Sequence, residues 1–433
     1  MKYNTNIWHP CTQMKDFEKV PPLNINKTEG SYLYTQDNKK LFDAISSWWC
    51  KSLGHRHPYV VDSIKKQLDK FEHTIFANTT NDEVEHFSNR ICKLTSMDKT
   101  LYAADGSCAV EIALKMTIHL RQLRNQTSKT KFICLENSYH GETLATMSVS
   151  DCGLYSDPYK TCLFDSLVIR DIPYVTGKTD SLWNDAKQYW NKTQKFLEQN
   201  KQSINALIVE PLCQGAGGML LYSKDYLNKL CKWCKQNDIY IIFDEIMTGI
   251  GRLGKLFALD YLDISPDFLC ISKGITSGMI PFSVTLTKNQ YYDMFYKDKM
   301  SEAFLHSHTH SGNILGVVAA NSVLDIFEQE NILNNVTNLE ALMHNCFLEI
   351  QQEVPIFKNI RNLGGMIAAD LDIDKYRFGF DVYKESIKLG ALLRPLGNTL
   401  YWLPPLNSKL DDIVYLKQAT KQSITNALEN IVS

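Results

Sequence analysis

Five short apolar runs in the middle of the chain constrain its fold more than any other feature. They are KFICLE (131–136), NALIVEP (205–211), IYIIFD (239–244), FLCIS (268–272) and FSVTLT (282–287). Turn residues bound these runs, and amphipathic segments separate them. Such alternation is typical of a mainly parallel sheet that is covered by helices on both faces. We therefore predict an α/β fold.

The C-terminal part of the chain has a different pattern. A long helical pattern runs from about Leu315 towards Gln352. Strand-like stretches follow it in GMIAADL (365–371) and TLYWLPP (399–405), among further helical segments. Mixed helices and strands of this kind predict a smaller α+β unit.

The N-terminal segment predicts how this smaller unit is completed. The sequence predicts a hairpin that begins near Gly30, but the residues before it are too few to fold alone. We expect the segment to pack with the C-terminal part. The predicted organisation is a large domain over residues 48–325 and a small α+β domain from residues 1–47 and 326–433.

Charge and hydrophobicity exclude several classes of protein. The formal net charge of the 433 residues is −2, so no basic field is available for nucleic acid or anionic lipid. No apolar run approaches the roughly 20 residues that span a bilayer. The first residues, MKYNTNIWHPC, lack the apolar core of a signal peptide. We expect a cytoplasmic protein that binds neither nucleic acid nor membrane.

The stretch YIIFDEIMTGIGRLGK (240–255) carries glycines at two phosphate-binding spacings. A dinucleotide loop needs its first glycine directly after the strand, but residues 244–248 intervene. A P-loop needs Ser or Thr after the lysine, but Leu256 follows Lys255. Both phosphate interpretations fail, and the glycines predict a surface turn.

Two acids precede these glycines at the carboxyl end of the buried run. Asp244 and Glu245 lie where open α/β sheets bind their ligands. Consecutive strand residues face opposite sides, so the two acids are predicted to have different roles. A buried acid needs a partner, which is either a ligand cation or an ordinary salt bridge.

Lys273 follows the next buried run and lies between Ser272 and Gly274. Desolvation there would lower its pKa, which suits covalent chemistry with an aldehyde. The chain between Asp244 and Lys273 has room for one helix joining neighbouring strands. Pyridoxal phosphate takes both a lysine for its aldehyde and an acid for its ring nitrogen. We therefore predict a pyridoxal phosphate site with Lys273 and Asp244 in these roles.

A helix start is the expected place for the cofactor phosphate. Gly106 and Ser107 precede a helical pattern, where backbone N–H groups and a hydroxyl can donate to a dianion. An ordinary N-cap is the alternative. Tyr139 follows another strand and could stack on a flat ring, or be a simple loop aromatic.

These pieces together resemble the class-III aminotransferases, a family of fold-type-I pyridoxal phosphate enzymes. The motifs DGSCAVEIALK, NSYHGET, EPLCQGAGGM, FDEIMTGIGRLGKLFA and SKGITSG occur in family order and cover nearly all of the chain. The resemblance implies an aminotransferase that is a homodimer with active sites at the subunit interface. It also implies that Asp244 is the partner of the pyridinium nitrogen and that Lys273 binds both cofactor and substrate.

The ends of the chain resemble the family members that aminate a long aliphatic keto acid in biotin biosynthesis. The matching pieces are IWHPCTQM (7–14), SSWWC (46–50) and LLRPLGNTLYWLPP (392–405). By this resemblance Trp48 and Trp49 line the substrate pocket, with Tyr139 beside them, and Arg394 binds the substrate carboxylate. A long keto acid needs such aromatic walls and a bidentate cation. Without the resemblance, core packing of the tryptophans and a surface arginine would be the expectation.

The chain departs from the family pattern at two places. Cys11 replaces a tyrosine that helps to recognise substrate. A Gly-Pro-Thr-Phe segment, whose threonine reaches the phosphate of the partner subunit, is replaced by residues 307–310. By the resemblance, His308 and Thr309 contact cofactor and Ser307 contacts substrate.

Two further possibilities concern the donor and a different class of protein. The resemblance implies S-adenosyl-L-methionine as the amino donor, but some relatives use lysine, and another ω-aminotransferase activity is the alternative.

His306, His308 and His310 alternate, so one extended face could present three imidazoles to a metal. A metal-binding protein is therefore the competing hypothesis, although it leaves Lys273 unexplained.

Overall fold

A computed structural model describes residues 5–432 and contains a seven-stranded central sheet. Its strands, in spatial order, are Lys99–Ala103, Ser283–Thr287, Phe268–Ile271, Tyr240–Asp244, Ile204–Val209, Lys131–Leu135 and Leu167–Ile169. The five predicted runs all form strands of this sheet, and all its pairings are parallel except those of Ser283–Thr287. The predicted α/β fold is confirmed.

The strand Ser283–Thr287 runs antiparallel to both of its neighbours. It follows Phe268–Ile271 after a connection too short for the helical crossover that parallel neighbours need. The chain between Asp244 and Lys273 also holds no α-helix, contrary to the room predicted for one. Turns and the short 3-10 helix Ala258–Tyr261 make that connection.

Helices cover the sheet and form much of the rest of the chain. The α-helices are Pro58–Leu68, Asp82–Thr95, Gly106–Leu123, Leu144–Ser148, Lys187–Asn200, Lys224–Gln236, Asn289–Phe295, Ile314–Gln329, Ile332–Glu353, Phe378–Lys388 and Leu410–Val432. The single helical pattern predicted from Leu315 towards Gln352 is therefore two helices. The break comes at Asn331, which has a left-handed φ of 50°.

Three smaller sheets complete the fold. One consists of Ile25–Glu29, Tyr32–Thr35, Lys40–Asp43 and Ala391–Leu392, the second of Tyr174–Val175, Leu220–Tyr222 and Cys213–Gln214, and the third of Phe357–Leu363, Met366–Leu371 and Thr399–Trp402. The predicted hairpin near Gly30 is confirmed, because Ile25–Glu29 pairs antiparallel with Tyr32–Thr35.

The two ends of the chain share one hydrophobic core. Phe42 and Ala44 pack there with apolar residues drawn from between Leu339 and Ala427. The domain boundaries after residues 47 and 325 stay a prediction, and residues 1–4 and 433 of those segments lie outside the described residues. Within residues 5–432, no helix has the length and apolar character to cross a membrane.

Candidate active site

A cavity of about 540 Å³ opens at the carboxyl ends of the central strands. It brings together six residues that the sequence predicts at the site: Trp49, Gly106, Ser107, Tyr139, Asp244 and Lys273. This edge is where a parallel sheet presents its ligand-binding loops.

Asp244 ends the strand Tyr240–Asp244, and its carboxylate faces the cavity. Its Oδ2 lies 2.8 Å from Nδ1 of His140, and its Oδ1 accepts the backbone N–H of Ile246 at 3.1 Å. Both partners hold the carboxylate in one orientation. Asp244 is therefore buried, hydrogen-bonded and available to a positive group in the cavity.

Glu245 faces away from the cavity, as expected for the next residue along the chain. Its carboxylate oxygens accept the backbone N–H groups of Ala258 at 2.6 Å and Leu259 at 2.7 Å. Burial raises the pKa of Glu245 to about 8, although these two bonds oppose the shift. The predicted division of roles is confirmed in geometry, because Glu245 braces the following loop and Asp244 faces the cavity.

Lys273 follows Ser272, which comes directly after the strand Phe268–Ile271. Its Nζ lies 4.9 Å from the centre of the Trp49 ring, and within residues 5–432 it makes no hydrogen bond or ion pair. Burial lowers the pKa of Lys273, while Asp244 and Glu210 oppose the shift. A lowered pKa enlarges the share of neutral amine, which is the nucleophilic form.

The helix Gly106–Leu123 directs its first turn into the cavity. Its N-cap is Asp105, whose Oδ1 accepts the backbone N–H of Cys108 at 2.9 Å. Ser107 is therefore not the cap, and its side chain lines the cavity. Gly141 lies against it, since a Cβ at Gly141 would collide with the Ser107 hydroxyl. The helix start leaves room and donors for an anion.

Tyr139 lines the cavity between these groups. Its backbone N–H donates to Glu210 at 3.0 Å, and its hydroxyl donates to Glu142 at 2.9 Å. Both bonds fix the ring beside Asp244 and Lys273. The site thus offers a carboxylate, an unpaired amine, a helix start and an aromatic face, and these groups fit pyridoxal phosphate.

Two residues of the cavity were quoted in motifs but given no role from sequence. Glu210 accepts the backbone N–H groups of Tyr139 and Gly215, and burial raises its pKa to about 7. His140 braces Asp244, and its buried Nε2 has no hydrogen-bond partner among residues 5–432. Glu210 follows the buried strand Ile204–Val209 directly, so the criterion that selected Asp244 could have found it.

A second chamber of about 420 Å³ contains the predicted substrate residues Cys11 and Arg394. The Arg394 guanidinium donates to the Cys11 carbonyl at 3.1 Å and lies 4.4 Å from the centre of the Trp48 ring. Tyr155 lines this chamber, and its ring packs edge-on against Tyr139 at 5.9 Å. The two aromatic rings therefore link this chamber with the cavity of Lys273.

The two predicted tryptophans lie on an unusual backbone. Trp49 lines the cavity of Lys273, whereas Trp48 lines neither space as residues 5–432 define them and contacts the second chamber through Arg394. Ser46, Ser47, Trp48 and Trp49 have φ values of 49°, 45°, 73° and 72°, which are all left-handed. A left-handed residue other than glycine costs about 1–2 kcal/mol. Trp49 is buried and its indole N–H donates to the Tyr401 hydroxyl at 3.1 Å, whereas Trp48 is 40% exposed. Surrounding contacts must hold so strained a turn.

The segment 306–310 lies apart from both spaces. Ser307 and Thr309 are exposed, and neither they nor His308 line the cavity of Lys273. The alternating face predicted for three imidazoles is wrong, because the chain turns at 309–310. His306 and His308 approach to 3.0 Å, but His310 packs on His73, and residues 5–432 hold no group of three metal-ligating side chains.

Comparison with known proteins agrees with this geometry. The family model described as aminotransferase class-III matches residues 14–424. An adenosylmethionine-8-amino-7-oxononanoate aminotransferase of Helicobacter pylori is 42% identical over 405 residues, which is 92% of this chain and 91% of that protein. The enzyme of the same name from Methanocaldococcus jannaschii is 32% identical over 97% of this chain and 96% of its own.

Solved structures give the same relationship. A crystal structure of the Methanocaldococcus jannaschii enzyme has a TM-score of 0.89 and 31% identity and covers 97% of both chains. An amine transaminase from an uncultivated Pseudomonas species, solved in its PLP-bound form, has a TM-score of 0.89 and 26% identity over 99% of this chain and 100% of that one. On sequence, fold and cavity alike, this chain belongs to the class-III aminotransferases, whose cofactor is pyridoxal phosphate.

Proposed function

We propose that this aminotransferase converts 8-amino-7-oxononanoate into 7,8-diaminononanoate, a step of biotin biosynthesis, with S-adenosyl-L-methionine as the amino donor. One observation carries the choice of acceptor. Lys273 lies over the ring of Trp49, and Arg394 lies over the ring of Trp48. An amine and a guanidinium thus lie against two consecutive indoles, which suits a long chain with a ketone and a distant carboxylate. The names of the relatives support the same acceptor.

The residues that one subunit contributes to its own cofactor site all line the cavity of Lys273. Ser107 and the backbone N–H groups from Gly106 onward would hold the phosphate, Asp244 the ring nitrogen and Lys273 the aldehyde carbon. Bound pyridoxal phosphate supplies an electron sink and carries the amino group between the two substrates. Asp244 keeps a proton on the ring nitrogen, and His140 orients its carboxylate.

Lys273 performs the proton transfers of both half-reactions. Its Nζ accepts a proton from the reacting carbon of the donor, and later delivers a proton to C7 of the acceptor. Arg394 holds the acceptor carboxylate, so the ketone is presented to Lys273 in a fixed orientation. Trp49 excludes water beside the Lys273 amine.

The donor is tested by mixing the purified yellow enzyme with each amine separately. S-adenosyl-L-methionine is expected to bleach the cofactor colour in a single turnover, and lysine is not. Adding 8-amino-7-oxononanoate to the bleached enzyme should restore the colour and release diamine. Bleaching by lysine alone would instead favour another ω-aminotransferase activity, to which the substitution at Cys11 could contribute.

Arg394→Ala is expected to raise the acceptor's apparent KM by at least about tenfold, because a charge-assisted bidentate contact is lost. The rate of donor-driven bleaching should change little, since only the acceptor uses this guanidinium. Arg377→Ala is the matched control, because Arg377 lines the same chamber but is paired with Asp16. Equal damage to both half-reactions by Arg394→Ala would mean that this arginine is structural.

We also propose a homodimer in which Thr309 reaches the phosphate site of the partner subunit. The support is that Thr309 is exposed and lies outside the cavity of its own chain. The family arrangement places such a threonine across the interface. His308 and Ser307 would then face the partner's cofactor and substrate.

Thr309→Val should weaken cofactor binding by about 1–3 kcal/mol, because one hydroxyl donor is lost. Subunit exchange between this variant and Lys273→Ala should raise activity above that of either parent at limiting cofactor. One of the two sites in each hybrid dimer then has both Lys273 and Thr309 intact. The control mixes Lys273→Ala with Asp244→Asn. Lys273 and Asp244 line the same cavity of one chain, so each subunit of the hybrid dimer keeps its own defective site and no rise in activity is expected. Hybrid dimers without a rise in the first mixture would refute the cross-subunit role.

A further inference from the structure

The left-handed turn Ser46–Trp49 is fastened to a buried carboxylate. Asp43 is fully buried, and its Oδ1 accepts the backbone N–H of Ser47 at 3.0 Å. Its Oδ2 accepts the Ser47 hydroxyl at 2.7 Å and Nε2–H of His55 at 2.9 Å. The backbone N–H of Ile45 also donates to Oδ1, at 3.4 Å. Four donors therefore converge on one carboxylate, and two of them belong to the second residue of the strained turn.

A second brace holds the first residue of the turn. The Ser46 hydroxyl donates to the Leu403 carbonyl at 2.5 Å. Arg252, which is buried, donates to the carbonyls of Gly365 and Pro404 and reaches the Ser46 hydroxyl at 3.4 Å. Strained backbone persists only where its surroundings determine it, and here two independent sets of bonds do so.

The handedness of the turn decides where its two indoles lie. Trp49 faces Lys273 at 4.9 Å, whereas Trp48 faces Arg394 at 4.4 Å. These contacts mark the two ends of the acceptor in the proposed reaction. A turn that relaxed to ordinary dihedrals would move both indoles together, and the Arg394 guanidinium would lose the Trp48 ring against which it lies.

We infer that Asp43 and His55 are positioning residues that set the chain length of the acceptor through the turn Ser46–Trp49. The inference rests on the proposed function, because it assigns Lys273 and Arg394 to opposite ends of one keto acid. A shorter acceptor cannot reach Arg394 while its ketone lies at Lys273, as long as the turn is held. When the turn loosens, kcat/KM should fall for the long acceptor, and the disadvantage of the short acceptor relative to it should become smaller.

The test compares 8-amino-7-oxononanoate with a homologue shortened by two methylene groups. The measured quantity is kcat/KM for 8-amino-7-oxononanoate divided by kcat/KM for the shortened homologue. It is measured in wild type, His55→Ala, His55→Gln and Ser47→Ala. Glutamine can still donate to Asp43, so His55→Gln is the rescue variant. The His55 backbone is held separately by bonds to Gly30 at 2.7 and 3.1 Å, so these variants keep that anchor. His57→Ala is the matched control, since His57 contacts Glu330 instead.

The ratio is expected to fall at least about tenfold in His55→Ala and Ser47→Ala and to stay near wild type in His55→Gln and His57→Ala. Acrylamide should also quench tryptophan fluorescence more strongly in His55→Ala than in His55→Gln, and a background that carries both Trp48→Phe and Trp49→Phe should remove that difference. A ratio that stays unchanged, including one in which both acceptors lose kcat/KM by the same factor, overturns the inference. Failure of wild type to use 8-amino-7-oxononanoate would reject the proposed function instead, and the same ratio would then be measured on the acceptor that it does use.

Discussion

Replacing Lys273 with alanine is expected to abolish turnover, a loss beyond about 10⁴-fold, while the protein still binds pyridoxal phosphate. The loss follows because Lys273 supplies the amine that lines the cavity and would move the proton between the substrate carbon and the cofactor. Binding survives because Ser107, the helix start and Asp244 hold the phosphate and ring without the lysine. Absorbance after dialysis and a single-turnover assay measure the two properties separately.

A neighbouring lysine supplies the control for this assignment. Burial lowers the pKa of Lys51 as well, but its Nζ donates to the Gly278 carbonyl at 2.9 Å. Lys273 makes no such bond among residues 5–432, so of these two lysines it is the one expected to attach the cofactor covalently. Borohydride reduction followed by peptide mass spectrometry should find the cofactor on Lys273 in both wild type and Lys51→Ala. A cofactor adduct on Lys51 in wild type would contradict the assignment.

Asp244→Asn is expected to slow both half-reactions by several orders of magnitude while leaving the fold intact. A neutral amide cannot keep the proton on the ring nitrogen, so the electron sink is lost. The amide can still accept the backbone N–H of Ile246, which supports the local structure. Stopped-flow absorbance with donor and then acceptor measures each half-reaction. Rates within about tenfold of wild type, or about 1.4 kcal/mol, would contradict the role.

Glu245→Gln distinguishes this effect from general damage to the strand end. Glu245 is equally buried, but its carboxylate faces away from the cavity and accepts the backbone N–H groups of Ala258 and Leu259. Its replacement should lower the melting temperature, because one of the two oxygen acceptors is lost. The half-reaction rates of the folded variant should remain far above those of Asp244→Asn.

The sequence predicted the lysine end of the site because its residues follow buried strands. Asp244 ends one such strand and Lys273 lies just beyond the next, and strand ends meet at one edge of a parallel sheet. Glu210 obeys the same rule and was missed only because its motif was not interpreted. By contrast, the Asp43–His55 pair has no periodic signal, since its two side chains meet through a turn whose dihedrals depend on tertiary contacts.

Other features could not be predicted from sequence periodicity because they depend on the backbone dihedral angles of single residues. The helical pattern from Leu315 towards Gln352 continues through Asn331, and only the left-handed φ of that residue separates the two helices. Alternation of His306, His308 and His310 predicted an extended face, but one turn at 309–310 is enough to break it. Period arguments assume regular dihedrals, so a single irregular residue defeats them.

The connection between the strands Phe268–Ile271 and Ser283–Thr287 is short, and it holds Lys273 within a small segment of the chain. The Ser272 hydroxyl donates to the Phe282 carbonyl across 10 residues of chain, so Lys273 is enclosed by a small local loop. Arg394 instead meets Cys11 across 383 residues. Closing the longer loop costs about 3 kcal/mol more in chain entropy. In the proposed assignment, the catalytic amine is thus held by residues close in sequence, whereas the acceptor site depends on contacts between distant parts of the chain. Changes in those parts can alter which keto acid is accepted without disturbing the cofactor chemistry.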